Sequence, residues 1–427
     1  MSAELVVLMA GTEAGRVQMT AHNRLRFLYD QPWRSAQRSY PLSMSMPLTG
    51  SEYGHTAIAS FLWGLLPDNE QVLDTWAKKF QVSPRNVFSL IANVGEDCAG
   101  AAQFVRPERA ASLREKRPQI AWLTVADIAE RLRALREDHA TSRMPRDTGQ
   151  FSLAGAQAKT ALLLDKGRWG VPSGRTPTTH ILKPPSPEFD GHAENELFCL
   201  RLAKMLGLPA ANATVQTFKA EKAIVVERYD RVRVRDIVVR VHQEDMCQAL
   251  SLMPTQKYEN EGGPGVRTII DLVREVSSER TQDTETFLSA IVFNWLIAGT
   301  DAHAKNYSLL IGEGGRVRLA PLYDLASALP YEKLNQVKLK SAMKIGGEYV
   351  LRNISARNWR KLAAETRLGE ESVIARVKGM TEAMPDAAQA VRLGLKAEGL
   401  THPMITRLAE RLATRANKLK KTMSVTA

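Results

Sequence analysis

Two acidic residues and one amide in the C-terminal half have types and a spacing suited to chemistry. Asp301 stands five residues before Asn306, and Asp324 follows after a further short stretch. A carboxylate can orient an attacking hydroxyl group and accept its proton, and amide and carboxylate oxygens are preferred ligands of the hard cation Mg²⁺. We therefore interpret Asp301 as a catalytic base, and Asn306 and Asp324 as metal ligands, in a phosphoryl-transfer reaction.

The catalytic loop of protein kinases has the same offset between an Asp and an Asn, and a second Asp follows beyond a short hairpin. A structural alternative is that Asp301 caps a turn and Asn306 begins a strand, because both residue types are common in turns. Taken alone, the pair favours the structural alternative. The choice depends on what precedes it in the chain.

A loop of small residues upstream is suited to contact phosphate groups. It consists of Ala154, Gly155, Ala156, Gln157, Ala158 and Lys159, and an apolar strand follows it. Small side chains let a backbone approach ATP phosphates. The loop has one glycine, does not match G-x-G-x-x-G, and lacks the Gly that precedes Lys in a Walker A motif, so it is a weak signal by itself.

Three further residues extend the pattern. Lys183 is the last residue of a predicted strand. In protein kinases a lysine on the equivalent strand contacts the α- and β-phosphates of ATP. The alternative is that Lys183 is a solvated lysine at a strand end. Glu227 and Tyr229 end the last strand before the helical half, where a kinase hinge binds adenine; the alternative is a polar strand terminus. The joint order of phosphate loop, lysine, hinge, base, hairpin and second Asp favours the kinase interpretation.

The elements that must position these residues can be predicted from periodicity. The first 105 residues indicate a small α+β domain, and the Arg- and Lys-rich segment 106–119, which includes Lys116 and Arg117, is interpreted as a solvated connector. Strands are predicted at Leu5–Met9, Leu25–Tyr29, Thr160–Leu164, Thr179–Leu182, Thr214–Phe218 and Ala223–Glu227. Helices are predicted at Asn69–Phe80, Val125–Leu135 and Glu194–Leu206, with another from Ser83, where Pro84 would occupy the first turn.

Beyond about residue 240 the chain is predicted to be mostly helical. Amphipathic stretches are found at Glu244–Leu252, Ile269–Val276, Thr284–Ala298, Ala356–Thr366, Glu371–Met380 and Met404–Lys421. One hairpin, made of Tyr307–Ile311 and Arg316–Ala320 around a glycine-rich loop, interrupts them. The nearly apolar run 288–299 is too short to cross a membrane and predicts a buried helix.

Composition excludes several classes of protein. The 427 residues are 44% hydrophobic and 24% charged, which predicts a folded chain of more than one domain. Three separated cysteines support neither a disulfide framework nor a zinc site, and we expect buried thiols. The start lacks the features of a signal peptide, so we expect a cytoplasmic protein. The net charge of +12 favours an anionic partner, which could be nucleotide phosphates, DNA, RNA or an acidic protein, unless it only solubilises the surface.

Several of these segments resemble HipA toxins, which are serine/threonine kinases of bacterial type II toxin–antitoxin modules. The matching stretches are Phe151–Thr160, Thr176–Lys183, Val226–Arg231, Gln243–Leu250 and Thr300–Asn306. The resemblance covers nearly the whole chain and is weakest in about the first 100 and last 60 residues. It implies an α+β, two-lobed protein-kinase-like fold, with a mixed α/β N-terminal half, a small extra β-rich subdomain and an all-α C-terminal half.

The same resemblance implies roles and partners. It implies that His303 and Tyr323 contact the nucleotide together with the residues named above. It also implies that Ser152 is the site of autophosphorylation, which would introduce negative charge beside the phosphate loop. It implies ATP and Mg²⁺ as cofactors and an aminoacyl-tRNA synthetase, such as glutamyl-tRNA synthetase, as the target, with growth arrest and drug tolerance as the outcome. It also implies a HipB-like helix-turn-helix antitoxin that attaches the pair to operator DNA.

We expect three domains: a subdomain over 1–105, a kinase N-lobe over 106–240 and a helical C-lobe over 241–427. Two other functions remain open. A DNA-binding co-repressor with a decayed kinase site could use Arg407, Arg411 and Arg415, which share one helix face, although that face could equally be solvated. A small-molecule kinase would need the same ATP-binding residues.

Overall fold

The computed structural model describes residues 3–115, 119–141, 144 and 151–424, and its chain divides into two compact units. The first unit contains Met1–Pro184, Gln216–Pro254 and Ser308–Val317. The second contains Pro185–Val215, Thr255–Tyr307 and Arg318–Ala427. Each unit is therefore built from segments that are separated in sequence.

Strands dominate the first unit and helices the second. The strands are β1 (Ala3–Met9), β2 (Thr12–Met19), β3 (Leu25–Tyr29), β4 (Glu52–Tyr53), β5 (Gln103–Val105), β6 (Ile120–Trp122), β7 (Thr160–Asp165), β8 (Arg168–Pro172), β9 (His180–Lys183), β10 (Ala213–Phe218), β11 (Glu221–Glu227), β12 (Arg231–Val234), β13 (Ile237–Arg240), β14 (His242–Asp245), β15 (Ser308–Ile311), β16 (Val317–Leu319), β17 (Lys340–Ile345) and β18 (Glu348–Val350). The α-helices are α1 (Gln31–Ser35), α2 (His55–Gly64), α3 (Glu70–Phe80), α4 (Val87–Val94), α5 (Pro107–Glu115), α6 (Val125–Glu137), α7 (His192–Met205), α8 (Met246–Ala249), α9 (Val266–Val276), α10 (Arg280–Ile297), α11 (Ala356–Thr366), α12 (Glu370–Ala397) and α13 (Pro403–Ser424).

A five-stranded sheet of order β4-β3-β2-β1-β5 forms the N-terminal part of the first unit. Strands β1 and β2 join through Ala10 and Gly11, whose φ angles of 50° and 78° are those of a tight hairpin turn. All side chains from Leu5 to Met9 are buried, because helices cover this sheet. The predicted strands Leu5–Met9 and Leu25–Tyr29 are both confirmed.

The solvated connector predicted for 106–119 was wrong over most of its length, because Pro107–Glu115 is the helix α5. Ala110 and Leu113 are buried against Val6, Leu8 and Val105. Only two apolar positions of this helix face the sheet, which is too few for periodicity to detect. The basic residues Lys116 and Arg117 lie outside the described residues.

A six-stranded sheet of order β10-β11-β9-β7-β8-β6 follows, and its registered pairs are antiparallel. Helix α6 packs Ile128 and Leu132 against a core that includes Leu162, Leu182 and Val225. The sheet contains every strand predicted between residues 160 and 227, each shifted by at most a few residues. It holds Lys183 at the end of β9 and Glu227 at the end of β11, where these two strands pair.

The second unit is built mainly of α7 and α9 to α13. The predicted buried helix is confirmed in α10, where every side chain from Phe287 to Ile297 is buried. Two elements were missed: the hairpin β17–β18, and the C-terminal part of α12, which runs through Pro385. The proline removes one helical hydrogen bond, but Met384, Ala388 and Val391 bury one face of the helix and outweigh that loss.

Two other local predictions were wrong. The helix expected from Ser83 begins at Val87, because the Asn86 side chain accepts the Ser89 N–H and Ser83 forms the preceding turn. The stretch Glu244–Leu252 is not one helix: β14 occupies its start and the four-residue α8 follows. Strand β14 pairs with β15, and this non-local ladder overrides the local helical pattern.

Two simpler expectations are confirmed. Cys98, Cys199 and Cys247 are buried free thiols. No helix within the described ranges combines the length and apolarity that a membrane span requires.

A buried ion-pair network ties the five-stranded sheet and the six-stranded sheet of the first unit together. Asp97, which precedes β5, accepts hydrogen bonds from Arg231 at 2.9 Å and Arg240 at 3.1 Å. Asp230 accepts from Arg228 at 2.8 Å and from Arg231 at 2.9 Å. Both arginines that follow β11 also donate to the Cys98 carbonyl. The strand end that carries Glu227 and Tyr229 is therefore fixed to the N-terminal sheet.

The protonation states in this network follow from its charges. Burial by itself would raise the pKa of the Asp97 carboxyl, but Arg231, Arg240 and Arg228 together hold it well below its usual range. Burial likewise opposes ionisation of Asp230, and the neighbouring arginines lower its pKa. Burial and Arg228 lower the pKa of Arg231 to about 10, which leaves the guanidinium charged at neutral pH. All of these groups are thus ionised in the folded protein.

We predict that Asp97→Asn destabilises the first unit by about 3–5 kcal/mol, because it removes one charge from a buried, hydrogen-bonded network. The folded-state pKa of Asp97 is depressed, so its stabilising effect is present above its unfolded pKa of about 4 and is lost as the pH falls. Urea unfolding at pH 7 and at successively lower pH measures both effects. The difference between wild type and variant should shrink in acid.

Asp165→Asn is the matched control. Its ion pair with Arg233 at 2.8 Å is partly exposed, so its loss should cost less than about 1 kcal/mol. Equal unfolding midpoints for wild type and Asp97→Asn at pH 7 would show that the network does not stabilise the fold.

Candidate active site

The Asp301 loop begins where α10 ends. Ala298 has a left-handed φ of 51°, and Gly299 donates to the Asn294 carbonyl at 2.8 Å, which closes the helix. A Cβ on Gly299 would lie 2.4 Å from the Asn294 Oδ1 atom, so a larger residue here would force the Asn294 side chain to shift. These constraints turn the chain sharply and direct residues 300–306 away from the buried helix.

Hydrogen bonds within the loop hold its backbone. The Asp301 carbonyl accepts from the His303 N–H at 2.8 Å and from the Asn306 Nδ2 at 2.7 Å. Residues 304–306 form a short 3-10 turn, and the Asp301 side chain is 72% exposed. The five-residue spacing therefore has a geometric meaning, because it places the amide of Asn306 against the backbone of Asp301.

Two rings lie beside the Asp301 carboxylate. The Tyr258 hydroxyl donates to Asp301 Oδ1, and the Tyr258 ring meets the His303 ring edge-on with centroids 4.9 Å apart. The His303 Nε2 atom is 3.9 Å from the same carboxylate oxygen. His303 is buried, so this residue both supports the loop and borders the carboxylate.

Asp324 lies on a segment that pairs with residues 209–211. Leu322 and Ala210 form a parallel bridge, and the Leu322 N–H donates to the Pro209 carbonyl at 2.8 Å. Asp324 is exposed and has a φ of 52°, a left-handed conformation that non-glycine residues adopt at some energetic cost. Beside it, the Tyr323 hydroxyl donates to the Lys305 carbonyl at 2.7 Å.

Helices α7 and α13 brace these loops within the second unit. The buried Asn195 of α7 donates to the Ser327 carbonyl at 2.8 Å and accepts from the Ser327 N–H at 3.0 Å. The Ser327 hydroxyl donates to the Ile297 carbonyl at 2.6 Å, at the end of α10. Arg415 of α13 donates to the Trp295 carbonyl at 3.0 Å. The segments before Asp301 and after Asp324 are thus fixed to one helix end.

The basic row Arg407, Arg411 and Arg415 on α13 takes part in contacts of this kind. Arg415 is half-buried and donates to the Leu296 and Trp295 carbonyls at the end of α10, and desolvation lowers its pKa to about 10. Arg407 donates to the Pro330 carbonyl at 3.3 Å, and Arg411 pairs with Glu332 at 3.4 Å. The arginines of this row therefore make contacts within their own unit, and DNA contact through them stays a prediction.

The donor chemistry near Asp301 fits a hard cation. Because the Asn306 Nδ2 is fixed to a carbonyl, the amide oxygen of Asn306 points elsewhere and can serve as a ligand. Asp324 adds an exposed carboxylate. No cluster of three or more His, Cys, Asp or Glu residues that could hold a metal by itself occurs in the described ranges. This is consistent with Mg²⁺, which typically binds only a few protein ligands and completes its coordination with water and substrate phosphates.

The phosphate-loop candidate belongs to the first unit. Phe151 bridges to Asp97, and Asp68 donates its N–H to the Gly155 carbonyl at 3.3 Å. Within the described part of the chain, the N–H groups of Ala154, Gly155, Ala156 and Ala158 donate no hydrogen bond. Successive amide N–H groups of this kind can bind an anion. Gly155 has a φ of 97°, which other residues adopt only with strain.

Two buried lysines accompany this loop. The Lys159 Nζ atom donates to the Ala154 carbonyl at 2.7 Å, so it closes the loop on itself. A Cβ at Gly155 would lie 2.7 Å from that same ammonium group. Lys183 is buried at the end of β9, whose register pairs it with Ile224 of β11. The Gln157 side chain donates to the Pro184 carbonyl, next to Lys183, at 3.5 Å.

Ser152 is buried, not displayed on the loop surface. Its side chain has no solvent exposure, and its hydroxyl donates to the Leu65 carbonyl at 2.7 Å. Its N–H donates to the Asp97 carbonyl at 3.1 Å. The hydroxyl could accept a phosphoryl group only after this segment leaves its place in the first unit.

The hinge candidates follow β11. Glu227 is exposed and lies opposite His180 of β9. Tyr229 is half-buried, and its hydroxyl forms a hydrogen bond with Gln243. Between them the buried Arg228 anchors the segment through the ion-pair network.

The predicted site residues thus form two sets, one in each unit. The first unit holds Ser152, the residues from Ala154 to Lys159, Lys183, Glu227 and Tyr229, and the second holds Asp301, His303, Asn306, Tyr323 and Asp324. Sequence reasoning missed Tyr258 and Asn195. Tyr258 follows a lysine in an irregular segment, and Asn195 resembles any polar residue of an amphipathic helix, so no spacing signal singles them out.

Two family models match most of this chain. The family model described as HipA N-terminal domain matches residues 5–105, and that described as HipA-like C-terminal domain matches residues 151–388, more than half of the chain. The chain belongs to the HipA family. A protein of Sinorhizobium fredii named "Putative kinase Y4mE" is 36% identical over 96% of this chain and 97% of its own length.

Two Shewanella oneidensis matches agree with this HipA assignment. The serine/threonine-protein kinase toxin HipA is 33% identical over 75% of this chain and 73% of its own length. A solved HipA chain from a complex of HipA, HipB and operator DNA superposes with a TM-score of 0.83 at 26% identity, covering 99% of this chain and 98% of that one. The predicted two-lobed kinase-like fold is confirmed, and this HipA-family chain is a protein kinase.

Proposed function

We propose that this HipA-family kinase is a bacterial toxin that transfers the γ-phosphate of ATP to a serine of a translation protein. The Asp301 loop is the observation that carries the proposal. Its backbone is held by His303 and Asn306, and its carboxylate is exposed to an incoming protein. A fixed, accessible carboxylate is what a kinase base requires.

The chemistry assigned to the second unit is proton acceptance and charge neutralisation. Asp301 orients the serine hydroxyl and accepts its proton as the oxygen attacks the γ-phosphorus. Asn306 and Asp324 are the residues that would hold Mg²⁺, through the amide oxygen and the carboxylate. When bound, Mg²⁺ neutralises negative charge on the phosphates. His303 and Tyr323 would complete the nucleotide contacts from this unit.

The first unit would bind the rest of the nucleotide. The N–H groups of Ala154, Gly155, Ala156 and Ala158 suit phosphate oxygens, and Lys159 and Lys183 add positive charge. Gln157 is a further contact of this loop. Glu227 and Tyr229 would contact the adenosine, held in place by Arg228 and the network that it joins.

The proposed target is an aminoacyl-tRNA synthetase, with glutamyl-tRNA synthetase as the first to test. Its phosphorylation in the cytoplasm would halt translation and cause growth arrest and drug tolerance. The proposed partners are a HipB-like helix-turn-helix antitoxin and, through it, operator DNA. Support for these partners comes from the structural similarity to a HipA chain that was solved with HipB and operator DNA, and from the net charge of +12.

We predict that Asp301→Asn lowers the phosphoryl-transfer rate by about 100- to 10,000-fold, because the amide cannot accept the proton. Asp324→Asn should be similarly inactive, since it removes a charged oxygen ligand. Both should fold normally, because both side chains are exposed. Transfer from radiolabelled ATP to purified glutamyl-tRNA synthetase and to heat-treated bacterial cytosol measures the rate, and growth after induced expression measures toxicity.

Asp271→Asn on α9 is the control, because it alters an exposed aspartate of the same unit that pairs only with nearby arginines. It should retain full activity. Wild-type turnover by purified Asp301→Asn would refute the assignment of the base. Labelling of other cytosolic proteins but not of the synthetase would refute the proposed target alone.

We predict that incubation with Mg²⁺ and ATP phosphorylates Ser152 and lowers ATP affinity by about 10-fold or more. A phosphate carries nearly two negative charges and cannot remain in the fully buried position beside the Leu65 carbonyl. The modification would therefore displace the loop that binds ATP phosphates. Mass spectrometry locates the phosphate, and a nucleotide titration compares modified with unmodified protein.

Ser152→Ala should prevent the modification, whereas Ser173→Ala should not. Ser173 is a suitable control because its hydroxyl also donates to a backbone carbonyl, that of Gln119, at 3.1 Å. An active protein that leaves Ser152 unmodified, or a modified protein with unchanged ATP affinity, would contradict the prediction.

We predict that the chain binds duplex DNA weakly and without sequence preference, and that the affinity falls steeply as salt rises. Each phosphate contact releases condensed counterions, which gives a slope of about −0.9 per contact in a plot of log affinity against log salt. Fluorescence anisotropy with a labelled duplex at several KCl concentrations measures it. Absence of binding at low salt would leave DNA attachment entirely to the antitoxin.

A further inference from the structure

The Asp301 carboxylate has one hydrogen-bonding side chain among the described residues, and it is Tyr258. The Tyr258 hydroxyl donates to Oδ1 of Asp301. The other hydrogen bonds of Asp301 involve its backbone carbonyl, which accepts from His303 and Asn306. The orientation of the carboxylate itself, as distinct from that of the loop, therefore depends on this tyrosine.

Tyr258 is itself held in place from several sides. Its carbonyl accepts from the N–H groups of Glu261 at 3.0 Å and Gly263 at 2.9 Å, and the Lys257 carbonyl accepts from the Ala304 N–H at 3.1 Å. A Cβ at Gly263 would lie 2.1 Å from the Gln256 carbonyl oxygen, so this turn is tightly packed. The segment that carries Tyr258 is thus hydrogen-bonded directly to the catalytic loop.

The rings around Tyr258 restrict it further. Its ring stands nearly perpendicular to that of His303, at 84°, and the Lys257 Nζ atom lies 5.6 Å from its centroid. Just beyond it, Glu259 accepts the Lys344 N–H of β17 at 2.5 Å. A hydroxyl fixed in this way can restrain a carboxylate that would otherwise rotate in solvent.

We propose that Tyr258 is a positioning residue for phosphoryl transfer: its hydroxyl holds Oδ1 of Asp301 and so directs Oδ2 to the serine hydroxyl of the substrate. This inference rests on the proposed role of Asp301 as the base. A base that is 72% exposed samples many orientations unless something fixes it. Misorientation of a reacting group by about 1 Å can cost roughly 100-fold in rate.

The same hydrogen bond is also compatible with a blocking role, in which Tyr258 would lower activity instead of supporting it. The Tyr258 hydroxyl donates to Asp301 as a substrate hydroxyl would, so it could instead occupy the base and block it. Positioning is favoured because a carboxylate has two oxygens and Tyr258 occupies one. A blocking residue would increase activity when removed, whereas a positioning residue decreases it.

The test compares Tyr258→Phe and Tyr258→Leu with wild type and Asp301→Asn, using radiolabelled ATP and heat-treated bacterial cytosol as the acceptor. For Tyr258→Phe we expect the maximal rate to fall by about 10- to 100-fold, with KM for ATP within about 2-fold of wild type. Tyr258→Leu should fall at least as far. If only the ring mattered, Phe would retain activity and Leu would lose it, which would overturn the proposal.

Tyr349→Phe is the matched control. Tyr349 is a half-buried tyrosine of the same unit with a lysine, Lys344, 5.2 Å from its ring centroid, and within the described residues it forms no hydrogen bond with Asp301. It should retain the wild-type rate. A Tyr258→Phe rate equal to or above wild type would overturn the proposal while leaving the kinase assignment intact. An inactive wild type, or an active Asp301→Asn, would instead reject the proposed function on which the inference rests.

Discussion

The buried ion pairs of Asp97 and Asp230 with Arg228 and Arg231 are the constraint on which the first unit depends. Removing four charged groups from water is costly, and only close pairing with further hydrogen bonds offsets that cost. The network meets this condition, because the Cys98 and Gly100 carbonyls, the Gly100 N–H and Thr178 satisfy the remaining polar atoms. It also joins residues matched by the two separate HipA family models.

This ion-pair network also fixes the positions of several candidate ATP contacts. Arg228 lies between Glu227 and Tyr229, so fixing its guanidinium fixes both neighbours. The Asp97 backbone carbonyl accepts a hydrogen bond from the Ser152 N–H. The Asp97 carboxylate accepts one from the Thr178 N–H, just before the strand that carries Lys183. One aspartate that precedes β5 thus orders the start of the phosphate loop, the lysine strand and the hinge segment. The N-terminal sheet is a structural part of the proposed nucleotide site, and not an appendage to it.

The second unit is held together at the end of helix α10, whereas the first unit is held together by buried ion pairs. The carbonyls that terminate α10 are satisfied by Ser327 and Arg415, and Asn195 holds Ser327 in turn. Because unsatisfied buried carbonyls are unfavourable, these bonds give the loops on both sides of the hairpin a defined origin. Asp301 and Asp324 can then be exposed without being disordered. The left-handed φ of Asp324 is a small local cost that this support can sustain.

The sequence by itself determined the family, the fold class and many of the regular elements. The spacing of Asp301, Asn306 and Asp324, together with the HipA-like segments, identified the family and the fold, and apolar periodicity located α10, α11 and the strands of the six-stranded sheet. These signals succeed because they are local or recur at a fixed period. Periodicity failed where few side chains face the core, as in α5, or where a distant strand decides the outcome, as in β14.

Only the tertiary structure determined which residues distant in sequence contact each other. Ser152 lies against Leu65, 87 residues away, and is buried rather than displayed. Arg228 reaches the Cys98 carbonyl across 130 residues, and Arg415 caps a helix 120 residues earlier. Tyr258 reaches Asp301 across 43 residues. No periodicity encodes such pairs, because their free energy depends on burial and on exact distances that exist only once the surrounding elements have packed.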